Sequence, residues 1–408
     1  MTNEWTPTPL SEVATRYIES VRVDPDAMYT SLGVKWYGEG VFAREPRAGS
    51  AIRASKVFRV QAGQFIYNRM FVTEGSFGLV PEALSDGVVS NEFPTYDVDR
   101  TRLLPEWLRL KFQDPAVVDV VANQAKGTTK SRRRWKEDQF ESFVVNLPPV
   151  PTQRRIVDLF SRLDRVLQLT EEEGAAARQA VSALREHRLK PSEDWRETTI
   201  GEELIRESRP VVVDPSAEYS EIGLRSHGRG AFLKDSLSGE ALGKKRVFFV
   251  EPGDLCFNIV FAWEGAVAVL GPEVAGRIAS HRFPTFKGAE VWTAAWFDEF
   301  FRTRRGRQLL VDHSPGGAGR NKTLAVGRLM EQVVSVPTEA QAVESLEVLK
   351  AIDDAARAAQ DYTLRLKGLR AQLLRVLMSG EHKIPAGYDV LLSDEGSEAP
   401  VEGAYARA

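Results

Sequence analysis

The chain has 408 residues, which is too long for one compact core and predicts two or three domains. Its 54 Lys and Arg residues oppose 57 Asp and Glu residues, a net charge of -3 that by itself argues against a nucleic-acid-binding protein. Cys256 is the single cysteine, which excludes an intramolecular disulfide and disfavours a structural zinc site. The first ten residues lack the pattern of a signal peptide, and no 18-residue apolar stretch occurs. We therefore expect a cytoplasmic protein without a membrane span.

The sequence repeats itself after about half its length. Gly38-Glu39-Gly40 corresponds to Gly228-Arg229-Gly230, and Phe93-Pro94-Thr95 corresponds to Phe283-Pro284-Thr285, both at an offset of 190 residues. The offset falls to 189 where Trp107 matches Trp296. Because few insertions interrupt a match that keeps Gly, Pro and Trp, we predict a tandem duplication.

Each copy begins with short apolar runs separated by Gly, Pro and Asp, which indicates strands and turns. These runs lie at 57–60 and 64–67 and again at 247–250 and 255–261. A helical pattern follows at 105–121 and at 293–311. Each copy is therefore predicted to start with a mixed α and β domain, at residues 1–150 and 191–337.

A heptad pattern closes each copy, at residues 151–190 and 338–380. The first predicted series of packing positions is Ile156, Leu159, Leu163, Val166, Thr170, Glu173, Ala177, Ala180 and Leu184, and the second is Ile352, Ala355, Ala359, Tyr362, Leu366, Leu369 and Leu373.

Two arrangements of these helices are compatible with the pattern. Each helix could pack on its own domain, or the two could pack on each other as an antiparallel coiled coil. We favour the coiled coil because helices of about 35 to 40 residues, roughly 55 Å long, exceed what one neighbouring domain can cover. The predicted fold class is α+β: two mixed α/β domains separated by two long antiparallel coiled-coil helices. An acidic tail at 381–408 is predicted to be disordered.

Motifs of common enzymes are missing from the sequence. There is no phosphate-binding Gly-rich loop, no Gly-x-Ser-x-Gly turn and no His pair with metal-ligand spacing. The Pro-Pro pair at 148 and 149 lacks the neighbours with which an amino-methyltransferase grips an exocyclic amine. We predict that this chain has no catalytic residues and binds no metal.

Clustered positive charge is the main functional signal. Residues 126–136 hold six cations and no acid, and a second cluster around a Gly-rich stretch occupies the equivalent place in the other copy. Lys and Arg in flexible loops neutralise phosphates, and small hydroxyl residues add hydrogen bonds. The candidate DNA-binding residues are Lys126, Gly127, Thr128, Thr129, Lys130, Arg132, Arg133, Arg134, Lys136, Arg304, Arg305, Arg307, Gly316, Gly317, Arg320 and Lys322.

The negative net charge does not contradict this interpretation. Residues 388–408 contribute -4, so the rest of the chain sums to +1. Candidate base-reading side chains are Asn68, Arg69, Asn258, Arg225 and Arg229. Because Asn68 and Asn258 recur at one repeat position, they are equally compatible with a structural role in a turn.

A proline-rich segment leads into the first long helix and reads Asn146-Leu147-Pro148-Pro149-Val150-Pro151-Thr152-Gln153-Arg154-Arg155-Ile156-Val157. It resembles the proline-rich strand end and Gln-Arg-Arg-Ile-Val helix start of the specificity subunits of type I restriction-modification systems. The resemblance covers nearly the whole chain, up to about Gly380. The second copy keeps Pro337 and Gln341 but lacks the Arg pair.

The resemblance implies two target-recognition domains that each read half of a bipartite asymmetric site on double-stranded DNA. It also implies that the long helices set the spacing and dock two methyltransferase subunits, with restriction and translocase subunits joining the complex. The residues implied in subunit contact are Pro149, Gln153, Arg154, Pro337 and Gln341. S-adenosylmethionine, ATP and Mg²⁺ would be bound by the partners and not by this chain.

Two other functions remain open at this stage. The chain could be a coiled-coil interaction scaffold that never touches DNA, or a stand-alone DNA-modifying enzyme. Retardation of duplex DNA by the purified protein separates the first alternative from a specificity subunit. Methyl transfer or cleavage by the isolated chain would identify the second.

Overall fold

The computed structural model describes residues 5–127, 133–317 and 322–393. The chain divides into two compact units. Unit 1 takes the chain up to Glu171 and from Asp361 onward, and unit 2 takes residues Glu172–Gln360. No helix in the described ranges has the length and apolar character needed to cross a lipid bilayer.

Unit 1 is built from short antiparallel strands. They are β1 (Thr6–Pro9), β2 (Ala14–Tyr17), β3 (Glu19–Arg22), β4 (Met28–Tyr29), β5 (Leu32–Val34), β6 (Val41–Ala43), β7 (Arg47–Ala48), β8 (Lys56–Arg59), β9 (Phe65–Tyr67), β10 (Phe77–Leu79), β11 (Val88–Val89), β12 (Thr95–Val98) and β13 (Val144–Leu147). The largest sheet has the order β10-β9-β12-β2, and a three-stranded sheet has the order β11-β8-β3. The pairs β1-β13, β4-β7 and β5-β6 complete the unit.

Three helices share one hydrophobic core with the largest sheet of unit 1, namely α1 (Pro105–Lys111), α2 (Pro115–Gln124) and α3 (Glu137–Glu141). Proline at the first position starts α1 and α2, and Asp114 caps α2 by accepting a 3.0 Å hydrogen bond from the backbone N of Ala116. The core is aromatic. The ring centroids of Phe77 and Phe112 lie 4.6 Å apart, and those of Tyr96 and Phe140 lie 4.2 Å apart.

Unit 2 repeats this organisation. After α4 (Val150–Arg188) come β14 (Arg196–Thr199), α5 (Ile200–Glu203), β15 (Leu204–Glu207), β16 (Glu218–Leu224), β17 (Ala231–Ser238), α6 (Gly239–Leu242), β18 (Val247–Phe249), β19 (Leu255–Phe257), β20 (Val267–Val269), β21 (Ile278–Ser280), β22 (Thr285–Gly288), α7 (Thr293–Arg302), α8 (Arg304–Asp312), α9 (Val326–Met330), β23 (Val333–Val336) and α10 (Glu339–Ser379). Its sheets have the orders β15-β22-β19-β20, β17-β16-β21-β18 and β14-β23.

Equivalent strands pair in the same order in both units. The sheet β2-β12-β9-β10 of unit 1 corresponds to β15-β22-β19-β20 of unit 2, and β1-β13 corresponds to β14-β23. The register also agrees, since Thr95 lies opposite Tyr17 and Thr285 lies opposite Glu207. The predicted α+β duplication is confirmed.

The two predicted long helices are confirmed as α4, of 39 residues, and α10, of 41 residues. Within unit 1 they run antiparallel, because Asp164 pairs with Arg370 and Glu171 pairs with Lys367. The same holds within unit 2, where Arg185 and Arg188 of α4 pair with Asp353 and Glu344 of α10.

Ten of the sixteen predicted packing positions are buried or half-buried. The buried or half-buried face of α4 contains Ile156, Phe160, Leu163, Leu167, Thr170, Gly174, Ala177, Val181 and Leu184. That of α10 contains Ile352, Ala356, Ala359, Thr363, Leu366, Arg370 and Leu373. The other six are each one residue before the position that packs inward, and they are exposed: Val166, Glu173, Ala180, Ala355, Tyr362 and Leu369. Where two neighbours are both apolar, as at Val166 and Leu167, either one satisfies the heptad, and only tertiary packing selects between them.

The segment after α10 differs from the predicted disorder. Residues 386–388 form a 3-10 turn, followed by α11 (Asp389–Ser393). The hydroxyl of Tyr388 donates to Asp158 at 2.6 Å, and Arg155 donates to both carboxylate oxygens of Asp389 at 2.6 Å. These bonds order the segment against α4. Residues 394–408 of the predicted tail lie outside the described residues.

Candidate nucleic-acid interface

An antiparallel bridge joins the two described ends of the basic segment of unit 1, which we call the basic loop. The backbone N of Lys126 donates to the O of Arg134 at 3.1 Å, and the N of Arg134 donates back at 2.9 Å. Lys126, Gly127 and Arg133 at the base of the loop are exposed, as is Lys136 beyond it. The predicted contact residues Thr128, Thr129, Lys130 and Arg132 lie outside the described residues.

A buried residue anchors the loop in each unit. Trp135 is fully buried, and its backbone N donates to the O of Arg69 at 3.2 Å. In unit 2 the equivalent Leu324 is buried, and its N donates to the O of Ile259 at 2.8 Å. Trp135 falls within the basic segment 126–136 of the sequence. It is a core residue that fixes the end of that loop beside the turn containing Arg69.

Two of the predicted contact arginines are already paired with carboxylates. Arg134 Nε lies 3.0 Å from Glu92, and Arg69 lies 3.6 Å from Glu92 and 3.2 Å from Glu137. Arg69 is also largely buried, with 17% of its side chain exposed. These pairs make both arginines supports of the loop base.

Unit 2 has a matching loop. Gly316 and Lys322 form the antiparallel bridge, and the N of Thr323 donates to the O of Pro315 at 3.3 Å. The ammonium of Lys322 lies 4.8 Å from the centre of the Trp263 ring, a cation–π distance. Gly317 is exposed. The predicted contact residue Arg320 lies outside the described residues.

Three other predicted contact residues lie in a helix and not in this loop. Arg304, Arg305 and Arg307 belong to α8, whose nine residues span about 13 Å. The backbone N of Arg304 donates to Glu186 of α4 at 2.6 Å. The guanidinium of Arg305 lies 5.0 Å from the centre of the Phe300 ring, and burial lowers its pKa from the ordinary value. Helix α8 therefore separates Arg304 and Arg305 from the basic loop of unit 2.

The two repeated asparagines shape turns. Asn68 Oδ1 accepts a 3.0 Å hydrogen bond from the backbone N of Met70, and Asn258 Oδ1 accepts one of 3.3 Å from the N of Val260. Both side chains are buried. Of the two roles considered for them, the geometry supports the structural one, because neither amide is available to a base edge.

Two further loops lie at equivalent positions, and candidate base-reading side chains, Arg225 and Arg229, were predicted from the sequence only in the second of them. In these left-handed loops, residues 35–40 and 225–230, the non-glycine residues Tyr37 and His227 have φ angles of 57° and 63°. Such a conformation costs of order 1–3 kcal/mol and persists only where surrounding structure enforces it. The side chains of Tyr37 and His227 are exposed. For Tyr37 and His227 themselves, the only signal in the sequence was the repeated pair of glycines that follows each residue.

A chain of hydrogen bonds supports the left-handed loop of unit 1 from below. Gln113 donates to the O of Gly38 at 2.8 Å. The Gln113 side-chain oxygen accepts a 3.0 Å hydrogen bond from Arg370 of α10, which also pairs with Asp164 of α4. The loop is thereby connected to both long helices within unit 1.

Arg302 takes the place of Gln113 in unit 2. A Cβ added at Gly228 would lie 3.2 Å from Arg302 Cγ, so the arginine fills the space beneath the loop. Arg302 pairs with Asp298 at 2.7 Å and with Glu299 at 3.4 Å, and Glu299 also pairs with Arg185 of α4. Burial raises the pKa of Asp298 to about 6, although the neighbouring Arg302 acts in the opposite direction.

The residues implied in subunit contact have different environments. Pro149 and Arg154 are exposed, Gln341 is half-buried, and Pro337 is buried. Gln153 is fully buried, and its side-chain amide donates to the O of Arg102 at 2.9 Å and to the O of Pro148 at 2.8 Å. A partner cannot reach Gln153, which instead fixes the first turn of α4 to unit 1.

No group of three or more His, Cys, Asp and Glu side chains within the described part of the chain is placed to hold a metal ion. Cys256 is buried, and burial raises the pKa of its thiol. Its environment is therefore that of a core residue.

Solved structures share this fold. A chain of a type I restriction-modification system, studied for complex assembly and conformational transition, matches with 14% identity and a TM-score of 0.61 over 92% of this chain and 97% of its own. The type I S subunit from M. genitalium matches with 11% identity and a TM-score of 0.52 over the same shares, 92% and 97%. The fold is that of a type I restriction-modification S subunit.

Other comparisons add little to this S-subunit fold. The HsdS subunit from Thermoanaerobacter tengcongensis has 16% identity and a TM-score of 0.49, with 94% of this chain and 98% of that chain covered. No family model and no curated protein matches the sequence. The likeness is therefore one of fold, at low sequence identity.

Proposed function

We propose that this protein is the DNA-specificity subunit of a type I restriction-modification complex. Residues 1–150 and 191–337 act as the two target-recognition domains, each reading half of a bipartite site. The long helices set the half-site spacing and dock two methyltransferase subunits, which bind S-adenosylmethionine and methylate adenine. Restriction and translocase subunits that use ATP and Mg²⁺ join the complex, and this chain contributes no catalytic group.

One observation carries the proposal. Each unit of an S-subunit fold presents a basic loop closed by a β-bridge at the same repeat position, between Lys126 and Arg134 and between Gly316 and Lys322. Two such loops on related domains suit two short DNA contacts, because cations at loop bases neutralise backbone phosphates and fix the register of each domain on the duplex.

Duplex retardation by the full chain, co-expressed with the adenine methyltransferase of its host, tests this function. The variant Lys126→Ala/Arg133→Ala/Lys136→Ala removes exposed loop cations. It should weaken binding to all DNA sequences. The slope of the logarithm of the binding constant against the logarithm of the salt concentration should fall in magnitude by about 2 to 3, since each phosphate contact contributes about 0.9 to that slope.

The matched control removes three exposed arginines from the long helices, Arg165→Ala/Arg178→Ala/Arg365→Ala. It should leave the salt dependence unchanged. A wild-type complex that fails to retard duplex DNA would support an interaction scaffold instead. An unchanged salt slope in the loop variant would remove this loop from the interface.

A further inference from the structure

The left-handed loops combine a fixed backbone with different side chains. Tyr37 and His227 occupy equivalent positions and have φ angles of 57° and 63°. In unit 1 the N of Gly38 donates to the O of Gly75 at 2.8 Å, and unit 2 has the equivalent bond, of 2.9 Å, from Gly228 to Gly265. The same strained scaffold therefore holds a phenol in one unit and an imidazole in the other.

Both loops also close on themselves in the same way. The N of Lys35 donates to the O of Gly40 at 2.8 Å, and the N of Arg225 donates to the O of Gly230 at 3.0 Å. A loop that is hydrogen-bonded at both ends and strained at its tip fixes the backbone from which the tip side chain projects. Strain of this kind occurs at functional sites more often than elsewhere.

The tip in unit 1 is an exposed aromatic surface. Tyr37 is 73% exposed and Trp36 is 49% exposed, and the Trp36 ring lies 5.9 Å from that of Phe71. Aromatic rings held in water by a rigid backbone gain by contact with a partner. In unit 2 the tip carries the exposed imidazole of His227 and the exposed guanidinium of Arg229.

The basic loop ends beside this tip in each unit. Phe71 lies two residues after Arg69 in the sequence. The carbonyl oxygen of Arg69 accepts a hydrogen bond from the backbone N of Trp135, at the end of the basic loop. In unit 2 the ammonium of Lys322 lies over the ring of Trp263, and the N of His227 donates to the O of the adjacent Glu264 at 2.8 Å. Phosphate-binding cations and the left-handed tip thus lie together.

We propose that the left-handed loops are the base-contacting loops of the two domains, with Tyr37 reading one half-site and His227 reading the other. The partner is double-stranded DNA, and the inference rests on the proposed function. The phenol and the imidazole can each donate or accept a hydrogen bond at a base edge, and the aromatic rings can contact the thymine methyl group. The basic loops contact phosphates and position these tips.

Selection of bound duplexes from a randomised library, followed by sequencing, tests the assignment with the full chain in its methyltransferase complex. Tyr37→Ala should reduce discrimination about 10-fold or more at one or two positions of one half-site, and His227→Ala should do so only in the other half-site. The control variants Tyr362→Ala and His187→Ala remove exposed side chains of the same types from the long helices. They should leave both half-sites unchanged.

Tyr37→Gly and His227→Gly separate an effect on base reading from an effect on folding, because glycine adopts the left-handed conformation without strain. These variants should unfold at the same temperature as the wild type or higher, and should still lose discrimination at their half-site. If the stable glycine variants keep the base preferences of the wild type, the assignment of the loops is overturned. The proposed DNA-binding function would still stand in that case. Absence of DNA binding by the wild-type complex would instead contradict the proposed function.

Discussion

Arg370 of α10 forms an ion pair with Asp164 of α4, and the same guanidinium donates a 3.0 Å hydrogen bond to Gln113. It also lies 5.3 Å from the centre of the Phe160 ring. One side chain therefore connects both long helices of unit 1 to the residue beneath the left-handed loop.

Loss of this connection should be measurable in Arg370→Ala. About four-fifths of the Arg370 side chain is buried, so removal leaves Asp164 without its partner and should cost about 2 kcal/mol. Denaturant unfolding of the full chain measures the change. The control Arg365→Ala, at an exposed position of the same helix, should change stability by less than about 0.5 kcal/mol. Equal effects of the two substitutions would show that Arg370 has no special role.

Two leucines of α4 test the packing register. Leu167 is buried, whereas Leu169 is 49% exposed. Leu167→Ala should destabilise the protein by about 2 to 4 kcal/mol, because it leaves a cavity between packed helices, and Leu169→Ala should cost less than about 1 kcal/mol. Thermal unfolding of both variants provides the comparison. A larger effect at Leu169 would contradict the observed register.

The buried carboxyl of Asp298 should make stability depend on pH. Its pKa is raised from 3.8 to about 6 in the folded protein, so the native state binds this proton more tightly than the unfolded chain. The resulting stabilisation is complete below about pH 4 and is lost as the pH rises through about 6.

Asp298→Asn should remove this dependence, because the amide stays neutral. Relative to the wild type, the variant should gain stability between pH 4 and pH 7, by up to about 3 kcal/mol for a shift of about 2 pKa units. Calorimetric unfolding at several pH values between 4 and 7 measures this gain in stability. Asp361→Asn, at an exposed position, is the control. Parallel pH profiles for the wild type and Asp298→Asn would rule out the proposed titration.

The lengths of α4 and α10 should determine the spacing of the DNA site under the proposed function. Deleting one heptad from each helix, residues 172–178 and 360–366, preserves the packing register and shortens each helix by about 10 Å. The spacer between the methylated half-sites should shorten by about 3 base pairs, at about 3.4 Å per pair. Methylome sequencing of cells carrying the variant reads the spacer directly, and an unchanged spacer would contradict the role of the helices.

The sequence predicted the location of the basic loops but not the roles of all their residues. Its charge pattern indicated the segment around Lys126 because cations without acids are visible in one dimension. It could not show that Arg134 pairs with Glu92, or that α8 carries Arg304 toward Glu186 of α4. Those facts depend on side chains that are distant in the sequence.

By itself the sequence determined the duplication, the alternation of strands and turns, and the two long helices, because Gly, Pro and heptad patterns act through local conformation. Only the tertiary structure decided that Leu167 and not Val166 packs inward, since both are apolar neighbours. It also brought the strained Tyr37 and His227 to equivalent exposed tips, because their φ angles are enforced by hydrogen bonds from distant turns.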